Sequence, residues 1–346
     1  MFDSIQALLD AFPEGAVRFR DGAVLSANAM ARHYLPGLTE GAPCPEDIPL
    51  TRTGPSGAGV FTFGGTAFTC GCTRQGDEHL LLFRPAPQSA LTGRQLEGVL
   101  TQLRGLLGDV LAEVGPATVQ DGPPVPAAAF GRSFHRLFRL VGNMEYMREA
   151  SGEEGVLFRP VTMDLEGLCR HTAQQAGPLL GEAGVSLYYE TALTGLLIPG
   201  DPELLQHLLL ELLVNAARAA EGGEVVLSLR RQGSRAILSV SHNGPLPDQR
   251  QMAALFQQGA PNPLPGQGAG LGLSIARDVA ALHRGSLLVE WGQSAPSAMV
   301  SLPTGPLSGQ VSVRSPSLQR DGGLDPVLTQ LSDILPDRVF GLEGLD

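Results

Sequence analysis

The sequence contains no lysine, so all 24 basic side chains are arginine, set against 35 acidic ones for a formal charge of −11. An acidic chain with scattered arginines offers no basic stripe for a phosphate backbone, which argues against a nucleic-acid partner. Cysteine is also scarce: Cys44, Cys70, Cys72 and Cys169 are too few and too scattered to staple a fold. Cys70 and Cys72 would share one face of a strand, but no further ligands stand at metal-binding spacing, so buried reduced thiols are expected. No apolar run approaches the ~20 residues of a membrane helix. The most apolar stretch, Leu204 to Val214, is broken by Gln206, His207 and Glu211. The N-terminus lacks a charged segment followed by an apolar core, so no signal peptide, no membrane span and a cytoplasmic location are expected.

What is present is globular material: 346 residues, 43% of them hydrophobic, enough for two or three domains. Residues 2–11 suggest a short helix ended by Pro13-Glu14-Gly15. The apolar runs Ala16–Arg20 and Ala23–Ser26 flank Asp21-Gly22, a tight-turn signal. Ala29–Tyr34 reads as helix. Val60–Phe63 and Thr66–Cys70 flank Gly64-Gly65 as a second hairpin, and His79–Phe83 adds a strand. Two hairpins around short helices make a small α+β domain over residues 1–86. It resembles a PAS sensor domain, with the Asp21-Gly22 turn and Asn28 in recognisable places, and no residue identifies a ligand.

Residues 87–152 follow a different period. Leu96, Val99, Leu103, Leu106, Val110 and Val114 recur in steps of three and four, as do Phe130, Phe134, Leu137, Val141, Met144 and Met147, with a Gly/Pro-rich connector between the two sets. An αα-hairpin results, and seams of this kind pair with a second copy, so a homodimeric four-helix bundle is expected. Residues 155–304 alternate helix and strand. Asp164–Leu179 reads as helix, and Ser186–Glu190 and Leu196–Ile198 as strands. Asp201-Pro202, a capping residue and a first-turn proline, opens a helix that ends at Gly222-Gly223. Strands Val225–Arg230 and Ala236–Ser241 come next, then a helix from Leu271 to Leu282 closed by Gly285, then strands Leu287–Trp291 and Ala298–Leu302. In the tail, residues 305–346, a Ser/Gly/Pro-rich stretch reads as flexible and Asp325-Pro326 starts a short amphipathic helix. That helix either docks back on its own domain or binds a partner.

Three segments carry chemistry. Glu211-Leu-Leu-Val-Asn215 places a carboxylate and an amide on one helix face, with His207 a turn earlier, and an oxygen pair of this kind suits a hydrated Mg²⁺. His242-Asn243-Gly244 ends a strand in a glycine-bearing turn. Gly266-Gln-Gly268-Ala-Gly270-Leu271-Gly272 leads directly into a helix, where glycines let the backbone approach a phosphate and the helix N-terminus offers free N–H groups. Its place after the early strands disfavours a dinucleotide loop.

In order and spacing these segments, with Leu255-Phe256 between the last two, resemble the N box, first glycine box, F box and second glycine box of the histidine-kinase-type (Bergerat) ATPase fold, shared with gyrase, Hsp90 and MutL. Gly270-Leu-Gly272-Leu-Ser-Ile-Ala-Arg277 and His283-Arg-Gly285 are especially close to sensor histidine kinases. The resemblance implies an α+β chain built from a PAS-like domain, a helical hairpin and a two-layer α/β sandwich that binds ATP and Mg²⁺. It further implies that Asn215 binds Mg²⁺, that Glu211 reaches it through water and orients or deprotonates the attacking group, and that Gly266, Gly268, Gly270, Leu271 and Gly272 close over the phosphates. His242, Asn243 and Gly244 would line the base, and a response regulator would be the partner.

The sequence departs from the family twice. The acceptor histidine of the first bundle helix is replaced, in Thr101-Gln-Leu103-Arg104-Gly-Leu-Leu107, by Thr101, a far poorer nucleophile than imidazole. His135, on the second helix, reads as a surface or interface histidine, with a relocated acceptor as the alternative. His242 stands where the family has an Asp that accepts from the adenine amine, and an imidazole is the weaker acceptor, so weakened ATP binding is expected. The readings are therefore a histidine-kinase-like enzyme or a non-catalytic dimeric pseudokinase, with slow hydrolysis or transfer to another protein as a third.

Overall fold

The computed structural model describes residues 9–10, 12–50, 56–86, 103, 105, 127–151, 158–245, 271–291, 295–305, 313–314 and 325–340. Strands β1 (Gly15–Arg20), β2 (Ala23–Ala27), β3 (Ser56–Phe63), β4 (Thr66–Gln75) and β5 (Glu78–Pro85) pair antiparallel in the order β2-β1-β5-β4-β3, with helix α1 (Ala29–Tyr34) after β2. Both hairpin turns hold two left-handed residues, Asp21 and Gly22 in the first and Gly64 and Gly65 in the second. This is the twist that two-residue hairpins require. Asn28 fixes the start of α1: its Oδ1 accepts from Ala31 N at 2.8 Å and from Ala16 N at 2.9 Å, while its amide donates to the Leu9 and Glu14 carbonyls. Alternation along β4 turns Phe68, Cys70 and Cys72 inward, beside Phe19, Phe61 and Phe83. All four cysteines are free thiols, and burial pushes Cys70 and Cys169 up and Cys44 up to about 12, so none is poised as a nucleophile.

The second half comprises β6 (Val161–Asp164), α3 (Leu165–Glu182), β7 (Ser186–Thr191), β8 (Leu197–Gly200), α4 (Pro202–Ala220), β9 (Glu224–Gln232), β10 (Arg235–His242), α5 (Leu271–Leu282), β11 (Ser286–Trp291), β12 (Ser297–Pro303) and β13 (Val313–Arg314); α2 is Ala127–Ser151. Strands β11-β12-β10-β9-β7 form a sheet, antiparallel except for β7 beside β9, and β13-β6-β8 form a smaller one. Leucine-rich α4 packs on both α3 and α5 and against β9 and β10. Its Asp201 cap accepts from Glu203 and Leu204 N–H groups, and the chain leaves it through left-handed Glu221 and Gly222. Helix α3 runs three residues beyond the expected end at Leu179 and carries Pro178 within it.

The two sheets join. β3 pairs antiparallel with β11, making ten continuous strands across the segments read from sequence as residues 1–86 and 155–304. The crossing is tight at Gly59, where a Cβ would lie 1.7 Å from the Leu287 carbonyl oxygen. Buried Arg235 reinforces the junction by donating to Asp47, to Ser301 Oγ and O and to the Arg284 carbonyl, and Ser234 bonds Glu46.

Helix α2 turns its apolar stripe away from the rest of its own chain. The stripe Phe130, Phe134 and Val141 does not face the core; these residues and Phe138 are 38 to 48% exposed, with Phe134 against both other phenylalanines. The helix instead buries its polar side, including Ser133, His135 and Asn143 beside Leu140 and Tyr146, and Leu137 and Met144 lie at the edge. Met147's side chain and most of residues 91–115 lie outside the described residues; Leu103 and Gly105 are helical, and Leu103 packs on the main core. Helix α6 (Pro326–Leu331), capped by Asp325, and a 3-10 turn (Asp337–Phe340) dock between α2, α3 and α4 and bury Val327, Leu331, Leu335 and Phe340. The C-terminal helix therefore folds onto its own chain.

Gly59→Val is expected to lower stability by about 1–3 kcal/mol, the range for overpacking, and to loosen the β3–β11 junction. Urea unfolding at unchanged slope with a lower midpoint would show it.

Candidate nucleotide site

Glu211 lies at the centre of α4, on the face turned toward α2 and the start of α5, and is 1% exposed. Both carboxylate oxygens are engaged. Arg139 Nη2 donates to Oε1 at 3.2 Å and to Oε2 at 2.9 Å, and Asn143 Nδ2 donates to Oε1 at 3.2 Å. His207 Nε2 stands 3.7 Å from Oε1 and 3.1 Å from Asn143 Oδ1. Burial alone would raise this carboxyl, but the Arg139 guanidinium and the His207 and Asn143 contacts hold it at about 2. Arg139 reaches onward to Asp333, which also accepts from Arg136 at 3.0 Å and Arg218 at 3.3 Å. Burial would push the Asp333 carboxyl up as well, and Arg139, Arg218 and Arg136 hold it down.

The second glycine box closes on the same atom. A Cβ at Gly272 would stand 2.0 Å from Glu211 Oε2, so only glycine lets the first turn of α5 approach the N box this closely. Asn215, one turn beyond Glu211, is half-buried. In the first glycine box a Cβ at Gly244 would lie 1.8 Å from the Ala219 carbonyl oxygen, tucking the turn against the end of α4. Asn243 Oδ1 accepts from Glu224 N at 2.8 Å, so this side chain braces the turn. His242 ends β10 half-buried; desolvation lowers its pKa and keeps it neutral, and its Nδ1 is buried without a partner among the described residues. An orphaned buried ring nitrogen fits a residue meant to meet a base edge. Of the segments expected here, N box, first glycine box and Gly272 converge around α4. Leu255-Phe256, Gly266, Gly268, Gly270 and the side chain of Leu271 lie outside the described residues, as does Thr101.

His135 is not on the surface. It is 7% exposed, its Nδ1 meets Thr329 Oγ1 at 2.9 Å, and its ring lies 5.2 Å from that of Phe340. Arg139, Asn143, Gln330 and Asp333 escaped the sequence reading. Their side-chain partners are 64 to 197 residues away and no local pattern joins them. His283, noted only as part of a motif, is structural: its Nε2 accepts from Asp201 N–H at 2.9 Å and its Nδ1 meets the Val279 carbonyl, tying the end of α5 to the start of α4. No group of three or more His, Cys, Asp or Glu side chains suited to hold a metal occurs among the described residues. An ion bridging Asn215 and phosphates would need no such cluster.

Residues 200–309 match the family described as histidine kinase-, DNA gyrase B-, and HSP90-like ATPase, and this segment is an ATP-binding domain of that class. The chain is a relative of the sensor histidine kinases. It is 27% identical over 209 residues to the circadian input-output histidine kinase CikA of Synechococcus elongatus, covering 58% of this chain and 27% of that one. To the sensor histidine kinase GtrS of Pseudomonas aeruginosa it is 30% identical over 162 residues, covering 46% and 32%. The chain thus spans about a quarter to a third of the length of these relatives. A solved structure of the histidine kinase ThkA in complex with response regulator protein TrrA covers 88% of this chain and 99% of its own, at 14% identity and a TM-score of 0.49.

The buried histidines set a pH response. Burial lowers His135, His242 and His283 below their ordinary 6.5. As pH falls through 6.5 the unfolded chain takes up protons that the folded chain refuses, so stability present above that pH is lost on acidification. Glu211 and Asp333, held low, contribute only to losses at pH values below the ordinary carboxylate range. Urea midpoints are expected to fall from pH 7 to pH 5, and His283→Gln to flatten that slope.

Proposed function

We propose that this chain is a cytoplasmic, homodimeric signalling protein of the histidine-kinase type whose domain at residues 155–304 binds Mg-ATP for phosphoryl transfer. The carrying observation is the approach of Gly272 to Glu211, which brings the phosphate-side helix start against the polar face of α4. Asn215 would hold Mg²⁺, with Glu211 linked to it through water, and His242 would accept from the adenine amine. Bound Mg-ATP supplies the phosphoryl group and the cation that offsets its charge. Glu211, once free of Arg139, would orient or deprotonate the attacking group. The outward ridge Phe130, Phe134, Phe138 and Val141 supports the hairpin and dimer, since an apolar helix face of this kind is ordinarily covered. No helix among the described residues is long and apolar enough to cross a membrane. A response regulator is the partner this reading implies, and residues 1–86 would be a PAS-like input domain.

A second reading has its own support. Thr101 at the acceptor position and the neutralisation of Glu211 by Arg139 favour a pseudokinase that uses nucleotide as a conformational signal. Incubation of the full chain with γ-labelled ATP and Mg²⁺, beside a nucleotide titration, separates the two. Acid-labile, base-stable label indicates phosphohistidine, and binding without label indicates the pseudokinase. The reading fails if the chain binds no nucleotide. His242→Asp is expected to tighten ATP binding roughly tenfold, about 1.4 kcal/mol, the gain from a charged acceptor; unchanged affinity would remove His242 from the site.

A further inference from the structure

Residues 325–340 cover more than apolar surface. Their polar atoms take up the arginine face of α2: Arg132 donates to the Ser332 and Asp333 carbonyls and to Asp337, Arg136 to Asp333, and Arg139 to Gln330 Oε1 and Asp333. On the other side Asp333 accepts from Arg218 of α4, and Gln330 Nε2 lies 3.0 Å from His207 Nε2. The segment is thus a bridge between α2 and the ATP-binding half. The same α2 face puts Arg139 and Asn143 on both oxygens of Glu211. Arg139 is directed to Glu211 from one side and held from the other by Gln330 and Asp333. His135 lies beneath Thr329 and Phe340 of the same segment.

A carboxylate cannot serve as a base or reach a hydrated cation while a buried guanidinium and an amide occupy its lone pairs. An interface so rich in polar contacts, with four buried apolar anchors at Val327, Leu331, Leu335 and Phe340, is of the kind that parts and re-forms, because its charged groups regain water on opening. We propose that residues 325–340 are an autoinhibitory strap: docked, they hold Arg139 and Asn143 on Glu211 and bury His135; released, they let α2 withdraw and free the carboxylate. The proposal rests on the nucleotide reading of Glu211 given above.

Two substitutions loosen the strap from opposite sides in the full chain. A Cβ at Gly131 would stand 2.6 Å from the Phe340 carbonyl oxygen, so Gly131→Ala pushes the 3-10 turn off α2 while alanine favours the helix itself. Asp333→Ala removes the acceptor shared by Arg136, Arg139 and Arg218. Amide hydrogen exchange, a thermal melt, binding of a fluorescent ATP analogue and ATP turnover are measured on each. Faster exchange in residues 325–340, with the melt of the ATP-binding half retained and turnover raised roughly tenfold, supports the strap. Released exchange with turnover unchanged or lowered, while the analogue still binds, overturns the strap alone. Unchanged exchange in both variants also overturns it, since these contacts would then not hold the segment. Released exchange with no analogue binding in any form overturns the nucleotide reading and the inhibitory role with it.

Discussion

One guanidinium connects the parts of this molecule that matter for function. Arg139 stands between Glu211 on α4 and Asp333 of residues 325–340, so α2, α4 and that segment meet at one buried cation. A buried charge is tolerated only with partners of opposite sign and satisfied hydrogen bonds, and here two carboxylates and the Gln330 amide oxygen provide both. The arrangement is not an efficient way to gain stability, since well-packed apolar residues of similar volume often do as well. It does specify geometry, because moving any one member leaves the others uncompensated. For that reason α2 lies on the ATP-binding half by its polar face and leaves its phenylalanines outward.

Much of the fold could be read from the sequence because the signals were local. Asp21-Gly22 and Gly64-Gly65 mark turns whose left-handed backbone the structure shows, and Asp201-Pro202 and Asp325-Pro326 open helices whose caps are formed as expected. The candidate site has local signals of the same kind: Glu211 and Asn215 share a helix face, His242 ends a strand, and Gly272 lies in the first turn of a helix. What could not be read is non-local. Apolar period marks Phe130, Phe134 and Val141 as a seam for a second copy, but nothing in a 25-residue window says that Ser133, His135 and Asn143 on the other side are buried within the chain. The carboxylates that make that side acceptable, Glu211 and Asp333, are 72 and 194 residues from Arg139.

The junction of the two sheets is a second non-local feature. A glycine in a strand ordinarily weakens it, and the strand read from sequence, Val60–Phe63, leaves Gly59 out. In the structure it is the point at which the N-terminal sheet meets β11, and β11 directly follows α5, whose first turn presses on Glu211. The N-terminal sheet is therefore one strand and one helix away from the candidate site. That is a short mechanical path between the N-terminal sheet and the candidate site.

The central claim is that Glu211 and Arg139 are directly coupled in the folded chain. A double-mutant cycle on unfolding free energy, with Arg139→Met, Glu211→Leu and the pair, tests this without assuming any activity. The account predicts a coupling of about 2–3 kcal/mol, with the double variant more stable than either single change would suggest. Additivity within about 0.5 kcal/mol would contradict it and leave Glu211 unengaged by α2.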